Sequence, residues 1–157
     1  LQKQDVNILN KGYGMWELHY EKKETIVHNE IISEEKTNYT ADETIGTGNK
    51  AIYVYYYDVY LERSKLKGLP TWECKVGRTD RDPINRVFGQ AGTSYPELPH
   101  IALIIKCDDS TVLEAALHNI LKIRGKWIHN APGNEWFMTT PQEIKEIYLG
   151  DNLLFKK

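Results

Sequence analysis

Ala51-Ile52-Tyr53-Val54-Tyr55-Tyr56-Tyr57 and Trp72-Glu73-Cys74-Lys75-Val76-Gly77-Arg78-Thr79, followed closely by Asp82-Pro83, decide how this chain is read. The first run is β-branched and aromatic, the composition of a pleated, largely buried strand. A polar, Lys-rich excursion punctuated by Gly68 and Pro70 turns the chain. The second run returns as a shorter strand ending at a glycine. Asp82 then supplies an N-cap and Pro83 a first helical residue. Ile84, Val87 and Phe88 form the apolar face of that helix at i, i+3, i+4 spacing, so Arg86 points elsewhere. Two paired strands and a helix thus bring Tyr53, Lys75 and Arg86 within reach of one another. That grouping is like an active site.

Beyond it, Tyr95-Pro96-Glu97-Leu98-Pro99 is a constrained turn, and His100 to Cys107 reads as a third, buried strand. Asp108-Asp109-Ser110-Thr111 starts a helix that runs to about Arg124 and stops at Gly125. Val112, Leu113, Ala116, Leu117, Ile120 and Leu121 are its apolar stripe, bordered by Glu114 and His118 one turn apart. Thr111-x-x-Glu114 also spells a capping box, which gives Glu114 a purely structural alternative. Residues 126 to 133 are loop-like, and Trp136-Phe137 anchors the return. Thr140-Pro141-Gln142-Glu143 is another capping box, opening a last helix that buries Ile144, Ile147 and Tyr148. The expected fold is α+β, a three-stranded sheet in the order β-β-α-β-α-α with flanking helices.

Residues 1–49 read as an appendage and linker, with short strands or a hairpin over 1–32 and a polar linker over 33–50. Residues 50–150 form the main domain, and 151–157 a tail. A length of 157 residues fits one domain, or one with an appendage. Hydrophobic residues at 41% and charged residues at 27% are ordinary for a globular protein. No run approaches the roughly 20 apolar residues of a membrane helix, and no signal-peptide pattern precedes the fold. Leu1 in the first position leaves room for a larger parent protein. Cys74 and Cys107 lack a metal spacing and read as buried free thiols in a reducing cytoplasm. A net charge of −2 argues against a broad basic surface, yet Lys65, Lys67, Lys75, Arg78, Arg81 and Arg86 cluster in sequence.

The ordered motifs resemble the GIY-YIG nuclease family, most nearly its phage-type branch in which the second motif begins with Lys. Ala51-Ile52-Tyr53 stands where the family has Gly-Ile-Tyr, and Lys75-Val76-Gly77 where it has Tyr-Ile-Gly or Lys-Ile-Gly. Arg86 matches its helix arginine. Glu114-Ala115-Ala116-Leu117-His118 and Gly133-Asn134-Glu135-Trp136-Phe137 look like downstream signatures of that branch. The resemblance implies a DNA endonuclease. Tyr53 would be the general base, and Glu114 would hold one Mg²⁺ or Mn²⁺, hard ions that suit a lone carboxylate and water. An isolated phenol has a pKa of about 10, so the expectation includes a nearby Lys75 ammonium favouring the phenolate. Arg86 would bind a phosphate. His118 either hydrogen-bonds a phosphate or a water near Glu114, or is structural.

Arg78, Arg81, Gln90 and Asn134 are the expected DNA contacts, with Asn130 an alternative to Asn134. Trp127 and Trp136 are candidates for base stacking or for core anchoring. Tyr55 and Tyr57 share the face of Tyr53 by the two-residue period, so the strand register bears on the assignment. Two departures stand out. Ala51 replaces a glycine, and Gln90 occupies a place where the family often has His or Tyr; a neutral amide cannot serve as a general base. Two rival readings follow: a binding module of the same fold whose chemistry has decayed, and a protein-interaction domain. A single site of this kind cuts one strand at a time, so double-strand cleavage implies a homodimer or sequential nicking. P-loop, zinc and nucleophile-elbow signatures are lacking.

Overall fold

The structure, a computed structural model, describes residues 39–91 and 96–150. The chain divides into two units, Leu1–Tyr39 and Thr40–Lys157, and every element named here belongs to the second. The expected appendage over 1–32, the first part of the linker, the start of the turn before Pro96 and the tail lie outside the described residues.

In chain order the elements are β1 (Glu43–Gly46), β2 (Lys50–Tyr56), α1 (Asp58–Leu66), β3 (Trp72–Thr79) and α2 (Pro83–Ala91). Then come β4 (His100–Cys107), α3 (Ser110–Ile123), β5 (Trp136–Thr139) and α4 (Pro141–Gly150). The strands form one sheet in the order β1-β4-β2-β3-β5. β1 runs parallel to β4, and the other neighbours are antiparallel. The α+β class is as expected, but the sheet has five strands rather than three.

β2 is the centre of the sheet because it can be buried on both faces. Every residue from Ala51 to Tyr56 is buried, and the strand pairs with β3 on one side and β4 on the other. On one face Ile52, Val54, Val76, Leu103 and Ile105 pack with Leu113, Leu117 and Leu121 of α3 and Ile144 and Ile147 of α4. Burying such aliphatic groups stabilises by roughly 1.5–3 kcal/mol per side chain. The alternate residues Tyr53 and Tyr55 present their rings to the other face, stacked with centroids 6.1 Å apart. α2 closes over that face, with Val87 and Ala91 buried.

Two helices owe their starts to the caps read in the sequence. The Asp82 carboxylate accepts from the Asn85 N–H at 2.8 Å, and the Thr140 hydroxyl accepts from the Glu143 N–H at 3.0 Å. Glu143 does not complete a capping box: its carboxylate accepts from the Thr139 hydroxyl at 2.6 Å and from Arg124 at 3.0 Å. α3 begins two residues earlier than a Thr111 cap requires. Asp109 is its N-cap, accepting from Val112 N–H at 3.1 Å. The structural alternative for Glu114 is therefore unused, and its carboxylate faces elsewhere. Val112, expected in the stripe of that helix, is 56% exposed, and Cys107 is only partly buried.

At the end of the sheet that holds Tyr56, His100 bridges three segments. Its Nε2 lies 2.6 Å from Asp42 and its Nδ1 2.8 Å from Asp58, while its ring stacks on Tyr56 at 4.7 Å. Burial disfavours the imidazolium, but the two carboxylates outweigh it and raise the His100 pKa above its ordinary value. A group with a raised folded-state pKa contributes stability that is complete below its unfolded pKa, about 6.5, and fades as pH climbs through the folded value. Urea unfolding across pH 5.5 to 8.5 is expected to show stability falling with rising pH. The fall should be absent in His100→Gln.

Candidate active site

The end of β3, the turn after it, α2, α3 and the segment entering β5 line an open cleft of about 850 Å³. Arg78, Arg81, Arg86, Asn85, Glu114 and Glu135 are among its lining residues. Arginines and carboxylates thus share one wall system, the composition expected where an anion and a cation are held together.

Tyr53 sits at the inner end of this arrangement and is only 1% exposed. Its hydroxyl donates to Gln90 Oε1 at 2.7 Å, and the Arg86 guanidinium is near enough for its charge to favour the phenolate. Burial raises the phenol pKa above 10, the Glu135 charge adds to that, and Arg86 and Gln90 work against it. The group is a neutral phenol near pH 7. Gln90 can serve either form of it, since its oxygen accepts from the phenol and its NH₂, with the amide turned over, donates to a phenolate.

Gly77 is the residue that lets the ring lie there. It pairs with Tyr53 across the β2–β3 ladder, and any Cβ at that position would run into the Tyr53 ring and hydroxyl. Tyr53 is enclosed and has little room to move aside. Gly77→Ala is therefore expected to destabilise by about 1–3 kcal/mol, the usual range for overpacking. Chemical denaturation checks this, and the Tyr53–Gln90 hydrogen bond should be lost with it.

Lys75 is placed differently from expectation. In register it pairs with Tyr55, not Tyr53, and its ammonium lies 3.2 Å from Glu135 Oε2 and 6.0 Å from the Tyr55 ring centre. The cation that bears on the Tyr53 hydroxyl is Arg86. A two-residue period puts Lys75 and Gly77 on the same face but cannot say which of them stands opposite which tyrosine.

Glu114, on α3, is the half-buried carboxylate of the cleft. Its Oε2 lies 3.3 Å from Arg78 Nε. Burial raises its pKa above the ordinary carboxylate value, with Glu135 adding to the rise and His118 and Arg78 opposing it. Arg78 is further engaged by Asp80 at 3.8 Å, and Asp80 accepts from Ser110 Oγ at 2.8 Å. His118 Nε2 donates to the backbone oxygen of Val76 at 2.8 Å, and its ring packs on Phe137 at 4.9 Å. That geometry is the structural role considered for it. The Val76 N–H donates in turn to the Glu135 carbonyl at 2.9 Å, so Val76 is held from both sides.

Arg81 and Arg86 are exposed on the cleft wall, and Asn134 and Asn130 are exposed on the loop before β5. Trp136 contacts Tyr55 and Tyr60 edge-to-face at 5.8 and 6.1 Å. Trp127 lies against His129 at 4.2 Å, with the Lys122 ammonium 5.0 Å above its ring. Glu135 is the functional candidate that sequence reading passed over. It lay inside a quoted signature, but a lone loop carboxylate carries no periodic signal.

Among the described residues no group of three or more His, Cys, Asp or Glu gathers as a metal cage. The donor chemistry nonetheless suits Mg²⁺ or Mn²⁺, which take oxygen ligands, need few protein groups and keep most of their waters. Glu114 offers a partly desolvated carboxylate on an open cleft. Among the described residues no helix is long and apolar enough to cross a membrane.

A family model described as the T5orf172 domain matches residues 51–149. The chain belongs to that family. The T5orf172 domain is phage-associated and related to GIY-YIG-like nucleases. Its matched span starts at Ala51 in β2 and ends within α4, and so holds every cleft residue named above. No curated protein and no solved structure matches the chain.

Proposed function

We propose that this T5orf172 domain is a DNA endonuclease that hydrolyses phosphodiester bonds with one divalent cation on Glu114 and Tyr53 as general base. The observation that supports it most is the position of Arg86. This one guanidinium bears by its charge on the Tyr53 phenol and also lines the cleft that holds Glu114. A phosphate drawn to Arg86 would lie near both the group that activates water and the carboxylate that binds the cation.

In this reading Arg86 does two things. It positions a phosphate through its fixed fork of N–H donors, and its charge favours the phenolate as Tyr53 gives up its proton. Gln90 keeps the phenol oriented in either state. Arg81 holds the flanking backbone. Mg²⁺ or Mn²⁺, when bound, would neutralise charge on the phosphate and the leaving oxygen. His118 acts at one remove, fixing Val76 and hence the strand that carries Gly77 and Arg78.

Supercoiled plasmid incubated with Mg²⁺, Mn²⁺ or chelator tests the proposal. Nicked circles are expected with either metal, before any linear DNA, and none with chelator. Salt-sensitive DNA binding without turnover in either metal would instead identify a binding module. The burial of Tyr53 and its hydrogen bond to an amide are what favour that second reading.

A further inference from the structure

Lys75 is the deepest cation near the cleft, with its side chain only 16% exposed, yet it is not among the residues lining that cleft. Glu135 is among them, is 35% exposed, and lies 3.2 Å from the Lys75 ammonium. The carboxylate thus borders both the half-buried cation and the cleft a phosphate would occupy. A largely desolvated ammonium favours a partner, and removing that partner leaves a charge that attracts another anion. Besides Glu135, the Lys75 ammonium faces the Tyr55 ring, 6.0 Å from its centre. On the other side of the carboxylate, Glu135 adds negative charge to the surroundings of both Tyr53 and Glu114.

We propose that Glu135 is a positioning residue that masks Lys75, so that a nucleic-acid phosphate gains this cation only by displacing the carboxylate. This rests on the nucleic-acid reading of the cleft. It also explains why a lysine in the second motif can sit two residues from Gly77 without acting on Tyr53. Its charge is already matched. Glu135 is fixed for the purpose, because its backbone carbonyl accepts from Val76 N–H and Lys75 pairs with Trp136 in the β3–β5 ladder.

The test is a mutant cycle of wild type, Glu135→Gln, Lys75→Met and the double variant. Each is titrated with a short DNA duplex in chelator over a range of salt. Glu135→Gln should bind about five- to tenfold more tightly at low salt, with the salt slope steeper by about one phosphate contact. That gain should vanish when the same change is made in Lys75→Met. An unchanged affinity in Glu135→Gln would overturn the proposal. So would a gain that persists in the double variant, since Glu135 would then merely repel DNA.

A second arm needs no nucleic acid. The four proteins are treated with acetic anhydride, and modification of Lys75 is followed by mass spectrometry. Lys75 should react several times faster in Glu135→Gln than in wild type, whereas Lys65 and Lys67 should not change. If none of the four binds DNA, the nucleic-acid reading fails, and with it the mask as a control on phosphate binding. The acylation rates then still tell whether Glu135 shields Lys75.

Discussion

Tyr53→Phe is expected to lower metal-dependent nicking by about 10²–10⁴, the range that a general base contributes. The substitution keeps the buried ring and removes only the hydroxyl and its 2.7 Å bond to Gln90. Its effect on stability should be near 1 kcal/mol, the net worth of one such hydrogen bond. That separation of large kinetic loss from small stability loss distinguishes a base from a core residue. The pH profile adds a sign. The phenol pKa is raised, so only a small fraction is phenolate near neutrality. Nicking in Mg²⁺ should therefore climb with pH through neutrality into the alkaline range, and Tyr53→Phe should flatten the climb. An unaltered rate and profile would remove Tyr53 from the chemistry.

Glu114→Ala is expected to abolish nicking in both Mg²⁺ and Mn²⁺. The lost carboxylate is the half-buried one of the cleft, and the change also leaves Arg78 without its 3.3 Å partner. Glu114→Gln keeps the shape and removes only the charge, so both variants belong in the experiment. Binding of Mn²⁺ alone, read by water-proton relaxation, should weaken at least tenfold in each. DNA binding in chelator should persist or strengthen, since one negative charge has gone from the cleft wall. Full nicking by either variant would sink the assignment. Lost nicking with unchanged Mn²⁺ binding would mean that Glu114 acts through Arg78 instead.

The elements that were legible in the sequence are those with a strong period or a cap. β2 is apolar on both faces, α3 carries Leu113, Leu117 and Leu121 one turn apart, and Asp82 and Thr140 cap where their types predict. Three elements were not legible: β1, α1 and β5, whose Trp136-Phe137 was read only as an anchored return. β1 is four residues of alternating partial burial beside glycines and a polar tract, and its strand character comes from pairing with β4. α1 buries only Ser64, leaves Val59 and Leu66 exposed, and is tied down by the pair Arg63–Glu73 and the Ser64 hydroxyl on the Thr71 carbonyl. It has no stripe to find.

The candidate site was legible by residue type but not by contact. Arg86 and Glu114 line one cleft, Arg86 bears by its charge on Tyr53, and Gln90 reaches Tyr53 as its helix position allowed. Lys75 was assigned to the wrong tyrosine because the face of a strand is set by period, whereas the opposite residue is set by register. Arg78, expected to meet DNA, lines the cleft and is paired there with Glu114 and Asp80. Glu135 became visible only when the loop before β5 was placed beside β3.

The sheet order has a consequence for synthesis of the chain. β2 lies between β3 and β4, and β5 closes the far edge, so the central strand waits for partners made much later. Pairings this distant in sequence are slow to close. A nascent chain that has emerged only as far as α2 holds Tyr53, Lys75 and Arg86 but lacks Glu114, Glu135 and one neighbour for β2. Whatever hydrolytic capacity the domain has thus cannot arise on the ribosome from the first motifs alone, and it arrives together with the completed fold.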